Sequence, residues 1–307
     1  MSERKHRRAF FKDATCVAAG AIGGIAGGWF PRRAAAIEPI QRNGTAKFKF
    51  SLAGYSYRDL LTGNPPKLTL DDFIADCAKM GLEGTEPTSY YFPNNVTYEY
   101  LRHLKHLAFR LGLDISGTAV GNDFCHPAGP RRDGEIAQVK KWIDYAEILG
   151  APVIRIFSGT PRGDQTVDTA HRLAVEAIEE CCRYAGQHGV FLALENHGGL
   201  TQTIEGMLGL VRDVKSEWFG VNLDTGNFRG QDVYGDLARL APYAINVQVK
   251  VTVSGPDGKQ VPADFRRLAK ILTDAGYRGY IVLEYEERED PRVACPRYID
   301  QLREAFS

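Results

Sequence analysis

Excess charge of either sign is missing from this chain: 38 aspartates and glutamates balance its 38 lysines and arginines. No net field draws it to a polynucleotide or an anionic membrane, short of a local basic patch. Histidine is sparse, at seven residues. The six cysteines match no zinc-binding spacing. With Cys16 set aside, the odd remainder of Cys77, Cys125, Cys181, Cys182 and Cys295 makes a poor disulfide framework. They are expected to be packing residues, with one of the adjacent Cys181 and Cys182 buried and the other not. No Gly-rich phosphate loop follows the first strand-like run, where Ser51-Leu52-Ala53-Gly54-Tyr55 stands instead. That weighs against an open, doubly wound nucleotide-binding sheet. Beyond the N-terminal region no stretch is apolar for long enough to span a bilayer.

The N-terminal region reads as a targeting segment. Arg7-Arg8-Ala9-Phe10-Phe11-Lys12 precedes a Gly- and Ala-rich run from Ala14 to Phe30, and Ala34-Ala35-Ala36 offers a small-residue cleavage site. An arginine pair before a mildly apolar run resembles a twin-arginine export signal, which carries folded proteins across the membrane. An uncleaved single-span anchor is the competing reading, disfavoured by the many glycines. The expectation is a signal over residues 1–36, a linker over 37–46, one domain over 47–307 and a periplasmic location without membrane association once the signal is removed. The whole chain of 307 residues, 44% hydrophobic and 25% charged, is long enough to bury one large core.

From Lys47 onward strand and helix signals alternate. Strand-like runs are Lys47–Ala53, Leu82–Glu86, Leu113–Val120, Pro152–Phe157, Val190–Glu195, Phe219–Asp224, Ala244–Val251 and Gly279–Tyr285. Helical spacing covers Leu70–Met80, Tyr98–Leu111, Glu135–Leu149, Val167–His188, Ile204–Val214, Val233–Leu240, Pro262–Ala275 and Arg292–Phe306. About eight strand–helix units of roughly thirty residues are what a closed (β/α)8 TIM barrel requires. Gly81, Gly112, Gly150, Gly189 and Gly276 each stand between a helical stretch and a strand, where a left-handed C′ residue is needed.

Several strands end in oxygen-bearing side chains: Glu195, Asp224, Gln248 with Lys250 beyond it, and Glu284. A carboxylate closing an apolar strand costs several kcal/mol to bury unless a cation or partner neutralises it. Three carboxylates and an amide converging from parallel strands would make a divalent-metal site at a barrel mouth. For Asp224 alone, a helix cap or Asx turn is an equal alternative. In Ala244–Val251 polar and apolar residues alternate, so Asn246, Gln248 and Lys250 share one face. In a barrel clad by helices that face must be the lumen, where polar groups need partners. Glu195-Asn196-His197 ends its strand before Gly198-Gly199, a pair that lets backbone approach a ligand and turn sharply. Glu286 and Glu287 are expected in solvent.

Here the chain resembles a known family, the xylose isomerase-like TIM barrels, the sugar (phosphate) isomerase/epimerase group that shares its fold with endonuclease IV. The resemblance runs from about residue 47 to 306. It is carried by Gly81-Leu82-Glu83-Gly84-Thr85-Glu86, Ala193-Leu194-Glu195-Asn196-His197, Asn222-Leu223-Asp224-Thr225-Gly226-Asn227 and Val282-Leu283-Glu284. It implies one divalent ion held by Glu195, Asp224, the position of Gln248, and Glu284, with the two glutamates as acid/base pair. Gln248 departs from the family's histidine. An all-oxygen set favours Mn²⁺ or Mg²⁺ over Zn²⁺. The departure leaves room for Lys250 to take over part of the charge role, and for a barrel that binds without turning over. A trinuclear zinc centre of the endonuclease kind needs more histidines than are free here.

The implied chemistry is proton transfer through an enediolate, giving a sugar isomerase or epimerase. The same enolate would permit β-elimination, so a lyase acting on keto-glycosides is the alternative, followed by a non-catalytic carbohydrate-binding barrel. Export points to a non-phosphorylated sugar as the small-molecule partner, with no nucleic acid, and pairing into a homodimer stays open. Glu86, Asn122, His126, Arg155, Asn196, His197, Asn227 and Lys250 are candidates to bind sugar hydroxyls. For Arg155 an ion pair with Glu86 or another lumen acid is an equal reading, and His126 stands level with a loop residue of no role.

Overall fold

The computed structural model describes residues 37–307, so the expected export signal lies outside the described residues. Coil from residue 37 to 46 leads into β1 (Lys47–Leu52) and is tied down by the amide of Ile40, which donates to the carbonyl of Pro242. The barrel strands that follow are β2 (Gly84–Thr85), β3 (Asp114–Ile115) continued by β4 (Thr118–Ala119), β5 (Val153–Ile156), β6 (Phe191–Glu195), β7 (Phe219–Asp224) and β8 (Ala244–Val249). After β8 a hairpin intervenes, β9 (Thr252–Ser254) and β10 (Gln260–Pro262), before the last barrel strand, β11 (Arg278–Leu283).

Parallel pairing runs β1-β11-β8-β7-β6-β5-β4. β2 pairs in parallel with β3. The seam between β1 and β2 is closed by the amides of Glu83 and Glu86, which donate to the carbonyls of Phe50 and Leu52 at 3.0 Å each. The chain is thus a TIM barrel, as its strand–helix alternation predicts. Helices α1 (Arg58–Leu61), α2 (Leu70–Lys79), α3 (Tyr98–Arg110), α4 (Pro130–Leu149), α5 (Val167–Gln187), α6 (Ile204–Asp213), α7 (Val233–Leu240), α8 (Phe265–Asp274) and α9 (Pro291–Ala305) complete the fold. Among the described residues no helix is long and apolar enough to cross a membrane.

Local chemistry explains the boundaries. Thr69, Thr97, Thr166 and Thr203 each accept a backbone N–H as the N-cap of α2, α3, α5 and α6. Gly81, Gly112, Gly150, Gly189 and Gly276 all adopt positive φ, between 62° and 82°, where the helices end. The third strand is interrupted at Ser116-Gly117, where a Cβ on Gly117 would stand 3.1 Å from Glu86 Oε2 and 3.0 Å from a methyl of Val153. That gap makes room in the lumen for Glu86.

Two local expectations are corrected. A helix from Pro262 is replaced by β10, since Gly255-Pro256-Asp257-Gly258 makes a hairpin turn with Gly258 at φ 78°, and α8 starts only after its Asp264 cap. Cys181 and Cys182 are both fully buried, because one side of α5 meets α4 while another lies on the barrel. All five cysteines from Cys77 to Cys295 are buried free thiols.

Candidate active site

The polar face of β8 points into the barrel and meets partners at every step. Asn246 Nδ2 donates to Glu86 Oε2 at 2.8 Å and to Asn222 Oδ1 at 2.9 Å. Gln248 Nε2 donates to Glu86 Oε1 at 2.6 Å, and Gln248 Oε1 accepts from Asn222 Nδ2 at 2.7 Å. All four residues are buried. Glu86 therefore sits in a closed ring of amides with no cation in contact. Burial lifts its carboxyl to about 7, against the pull of the Asn246 and Gln248 donors.

One layer further along the strands lies a second cluster, built from β5, β6, β7, β8 and β11. Glu195, the last residue of β6, is 2.9 Å from Arg155 Nε and accepts from Asn227 Nδ2 at 2.8 Å. Asp224, the last residue of β7, and Glu284, one residue past β11, stand 3.4 and 3.2 Å from Lys250 Nζ. Glu286 is exposed, as expected, and also reaches Lys250, at 3.0 Å. Asn227 links the halves, since Lys250 Nζ donates to Asn227 Oδ1 at 3.3 Å. The three strand-end acids thus share one rim, but two cations divide them.

The electrostatics split the carboxylates. Burial raises Glu195 to about 7, outweighing Arg155. Burial also lifts Asp224 well above the usual carboxylate range, more than Lys250 lowers it. Glu284 is buried too, yet Lys250 and Arg155 hold it below its ordinary value. Burial works to neutralise Lys250, but Asp224, Glu284 and Glu286 together keep it charged. The rim thus presents one glutamate held ionised and one whose carboxyl is pushed up by burial.

The other expected residues divide. Asn227 and Arg155 are in the cluster, with Arg155 also donating to the carbonyl of Val120 at 3.0 Å. His197 is accessible at the mouth, its ring 4.6 Å from that of Phe157, and partial desolvation and then Arg155 lower its pKa. Asn196 is spent on backbone: it donates to the Asp224 carbonyl and accepts the Asp224 amide, both at 2.9 Å, and so fixes Asp224 rather than a sugar. Asn122 is spent likewise on Phe157, at 2.7 and 2.9 Å. His126 lies in the loop before α4, where its carbonyl accepts from Arg132 and its buried Nε2 has no hydrogen-bond partner. Glu86 is sealed below the rim by its amides. Gly199 lies against backbone of the neighbouring loop: a Cβ there would be 2.2 Å from the Gly159 carbonyl.

Sequence reasoning overlooked the aromatic wall. Tyr90, in a turn after β2, places its hydroxyl 3.4 Å from Arg155 Nη2, and its ring 6.5 Å from Tyr55 and 6.2 Å from Tyr91. The only signal was the run Tyr90-Tyr91-Phe92 following a strand end. Asn222, needed by both Asn246 and Gln248, was seen only as part of a motif.

A divalent ion held by Glu195, Asp224, Gln248 and Glu284 does not fit this arrangement. One observation suits a cation: Asp224 Oδ2 is buried without a hydrogen-bond partner. The cation that approaches it, however, is the Lys250 ammonium. Gln248 presents its oxygen to Asn222 and its NH2 to Glu86, so neither faces the three acids. Among the described residues no three His, Cys, Asp or Glu side chains are grouped as a metal would need.

Comparison with known proteins places the chain. The model of the family described as "Xylose isomerase-like TIM barrel" matches residues 74–305. A mouse (Mus musculus) protein named putative hydroxypyruvate isomerase is 26% identical over 164 residues, 48% of this chain and 58% of that protein's length. A D-psicose 3-epimerase from Clostridium cellulolyticum H10, solved with D-tagatose, superposes with a TM-score of 0.71 at 16% identity, covering 84% of this chain and 99% of that one. A 3-keto-D-glucoside 4-epimerase from E. coli gives 0.63 at 15% identity over 84% and 99%. At such identities the structural likeness speaks for the fold.

Proposed function

The chain belongs to the xylose isomerase-like TIM barrel family, and from there we propose that it is a sugar isomerase or epimerase acting on a non-phosphorylated sugar or keto-sugar. The carrying observation is the pair of buried glutamates at the ends of β6 and β11, facing one rim beside Arg155 and Lys250, with burial pushing Glu195 up and the cations holding Glu284 down. Proton transfer at a carbon next to a carbonyl needs such a pair, one to take a proton and one to return it. Glu284 removes the C–H proton, the C–H electron pair becomes the C=C bond, and the carbonyl pair moves onto oxygen. Lys250 and Arg155 are the donors that can meet that oxyanion. As the Lys250 ammonium turns towards the oxyanion its hold on Glu284 weakens, which makes Glu284 a stronger base when it is needed. Glu195 then delivers its proton to the opposite face of the same carbon as the oxyanion pair re-forms the carbonyl, an epimerisation. For an isomerisation it protonates the former carbonyl carbon, while the hydroxyl on the deprotonated carbon passes its proton to the oxyanion and becomes the new carbonyl. Asp224 Oδ2, without a hydrogen-bond partner, is available to a substrate hydroxyl.

The sugar named for the bacterial epimerases and the hydroxypyruvate of the mouse relative are starting points for a substrate panel. Full-length protein, with and without added Mn²⁺, would be incubated with keto-sugars and 3-keto-glycosides in deuterated water. Deuterium at a carbon-bound position is expected; Glu284→Gln should slow its entry by about a hundred- to ten-thousand-fold, and Glu195→Gln should slow net conversion on the same scale. Release of an aglycone would favour the lyase instead. Saturable binding without exchange would remove the catalytic reading.

A further inference from the structure

We propose that Lys250 is the built-in cation of this site and that its ammonium stands in for a divalent ion. This rests on the reading of the rim as the reactive centre, and it adds what supplies the positive charge there. The loop after β7 is shaped around this lysine. Thr225 Oγ1 accepts the Lys250 backbone amide at 3.0 Å, and Asn227 Oδ1 accepts from its Nζ. Gly226 is a glycine because the lysine stem lies against it: a Cβ would be 2.7 Å from Lys250 Cδ and 2.9 Å from its Cβ. The adjoining Asp224 carboxylate faces the ammonium. Four consecutive residues, 224 to 227, thus hold one lysine, Thr225 by its backbone amide and the others along its side chain.

Charge arithmetic agrees with the steric one. A divalent ion within reach of Asp224 and Glu284 would sit at contact distance from a fixed positive charge, a repulsion of several kcal/mol in a partly dry site. Either the lysine leaves or the ion does. Leaving would undo the contacts with Asp224, Glu284, Glu286 and Asn227 together. The one amide expected to ligate is already committed to Asn222 and Glu86. A lysine can still do an ion's electrostatic work, since an ammonium carries three donors towards a developing oxyanion. It cannot chelate two neighbouring oxygens as an ion does, so the substrate must be oriented by Arg155, Asn227 and Asp224 instead.

Metal binding tests this without reference to turnover. Chelator-treated full-length protein would be titrated with Mn²⁺ and followed by the electron paramagnetic resonance signal of the free ion, beside Lys250→Ala and Lys250→Gln. The wild type should leave the Mn²⁺ signal free, and its melting temperature should be the same in Mn²⁺ and in chelator. Removing the ammonium should tighten Mn²⁺ binding by at least about 100-fold, the scale of one like charge lost at contact distance. One Mn²⁺ bound per wild-type chain, abolished by Asp224→Asn, would overturn the proposal. So would lysine variants that fold and bind Mn²⁺ no better than the wild type. The wild-type titration decides even if neither variant folds. Exchange of substrate protons bears only on the function proposed above, so the two can fail separately.

Discussion

Two groups of buried carboxylates lie in adjoining layers of this barrel and are neutralised in different ways. Glu86 is enclosed by neutral amides from Asn246 and Gln248, which Asn222 in turn holds, with no cation in contact. Asp224, Glu284 and Glu195 meet Lys250 and Arg155. Burial costs are alike, since all four carboxylates are almost free of solvent. What differs is what the layer can do next. An amide ring satisfies a carboxyl and locks it, whereas an ammonium with several acid partners can exchange one of them for an incoming oxyanion. A closed layer holds its strands together; an open, charge-rich one has the groups that proton transfer needs.

The largest effect should come from taking the cation out of the rim. Lys250→Met leaves Asp224, Glu284 and Glu286 without their shared partner and should cost about 3–5 kcal/mol at neutral pH, read by urea unfolding. The cost should shrink at acid pH as the carboxylates take up protons, and added Mn²⁺ should restore part of it. A loss below about 1 kcal/mol would mean that the rim acids do not depend on the lysine, and the contrast between the layers would collapse.

The amide ring should show its character in the pH dependence. Glu86 holds its proton up to about 7 in the folded chain, against 4.5 for an ordinary glutamate. Between those values the native state binds the proton that the unfolded chain has released. Its contribution to stability is therefore full below pH 4.5 and is lost as pH rises through 7, on the order of 3 kcal/mol in all. Glu86→Gln should flatten that slope relative to wild type. The substitution sets an NH2 against one of two donors, but this cost is the same at every pH and leaves the slope readable. Glu195 has a slope of the same sign, so only the difference between the two proteins counts. Identical slopes from pH 4.5 to 7 would place the Glu86 proton elsewhere.

Much of this was legible beforehand, and the pattern of what was not is physical. The strand–helix alternation, the C′ glycines and the polar face of β8 follow from periodicity and backbone conformation, which are local. So does the placement of Glu195, Asp224 and Glu284 at strand ends. What each side chain bonds to is not local. Asn122 and Asn196 have the composition of sugar-binding residues, yet each spends both amide atoms on a neighbouring strand's backbone, and only register decides that. The lysine in place of an ion was hinted at by Gln248 and Lys250 on one face, but it needed the Gly226 space and the Asn227 contact to be argued. The β9–β10 hairpin was hidden because Pro262 invited a helix start three residues early.

The smallest expected effect tests where the rim cluster ends. The hydroxyl of Tyr90 makes only long contacts with Arg155, 3.4 and 3.5 Å, while its ring lies under the Arg155 guanidinium at 5.9 Å and against Tyr55 and Tyr91, contacts that a phenylalanine keeps. Arg155 has Glu195 and the Val120 carbonyl as nearer partners. Tyr90→Phe should therefore lower stability by no more than about 0.5 kcal/mol, at the weak end for a hydrogen bond beside solvent, and leave the pH profile of proton exchange in place. The contrast is with Asn227, whose amide bridges Glu195 and Lys250: Asn227→Ala should shift that profile, because the two halves of the rim would no longer be tied. If Tyr90→Phe moved the profile as far as Asn227→Ala, the hydroxyl would belong to the reactive layer and the aromatic wall would be part of the acid/base machinery rather than its lining.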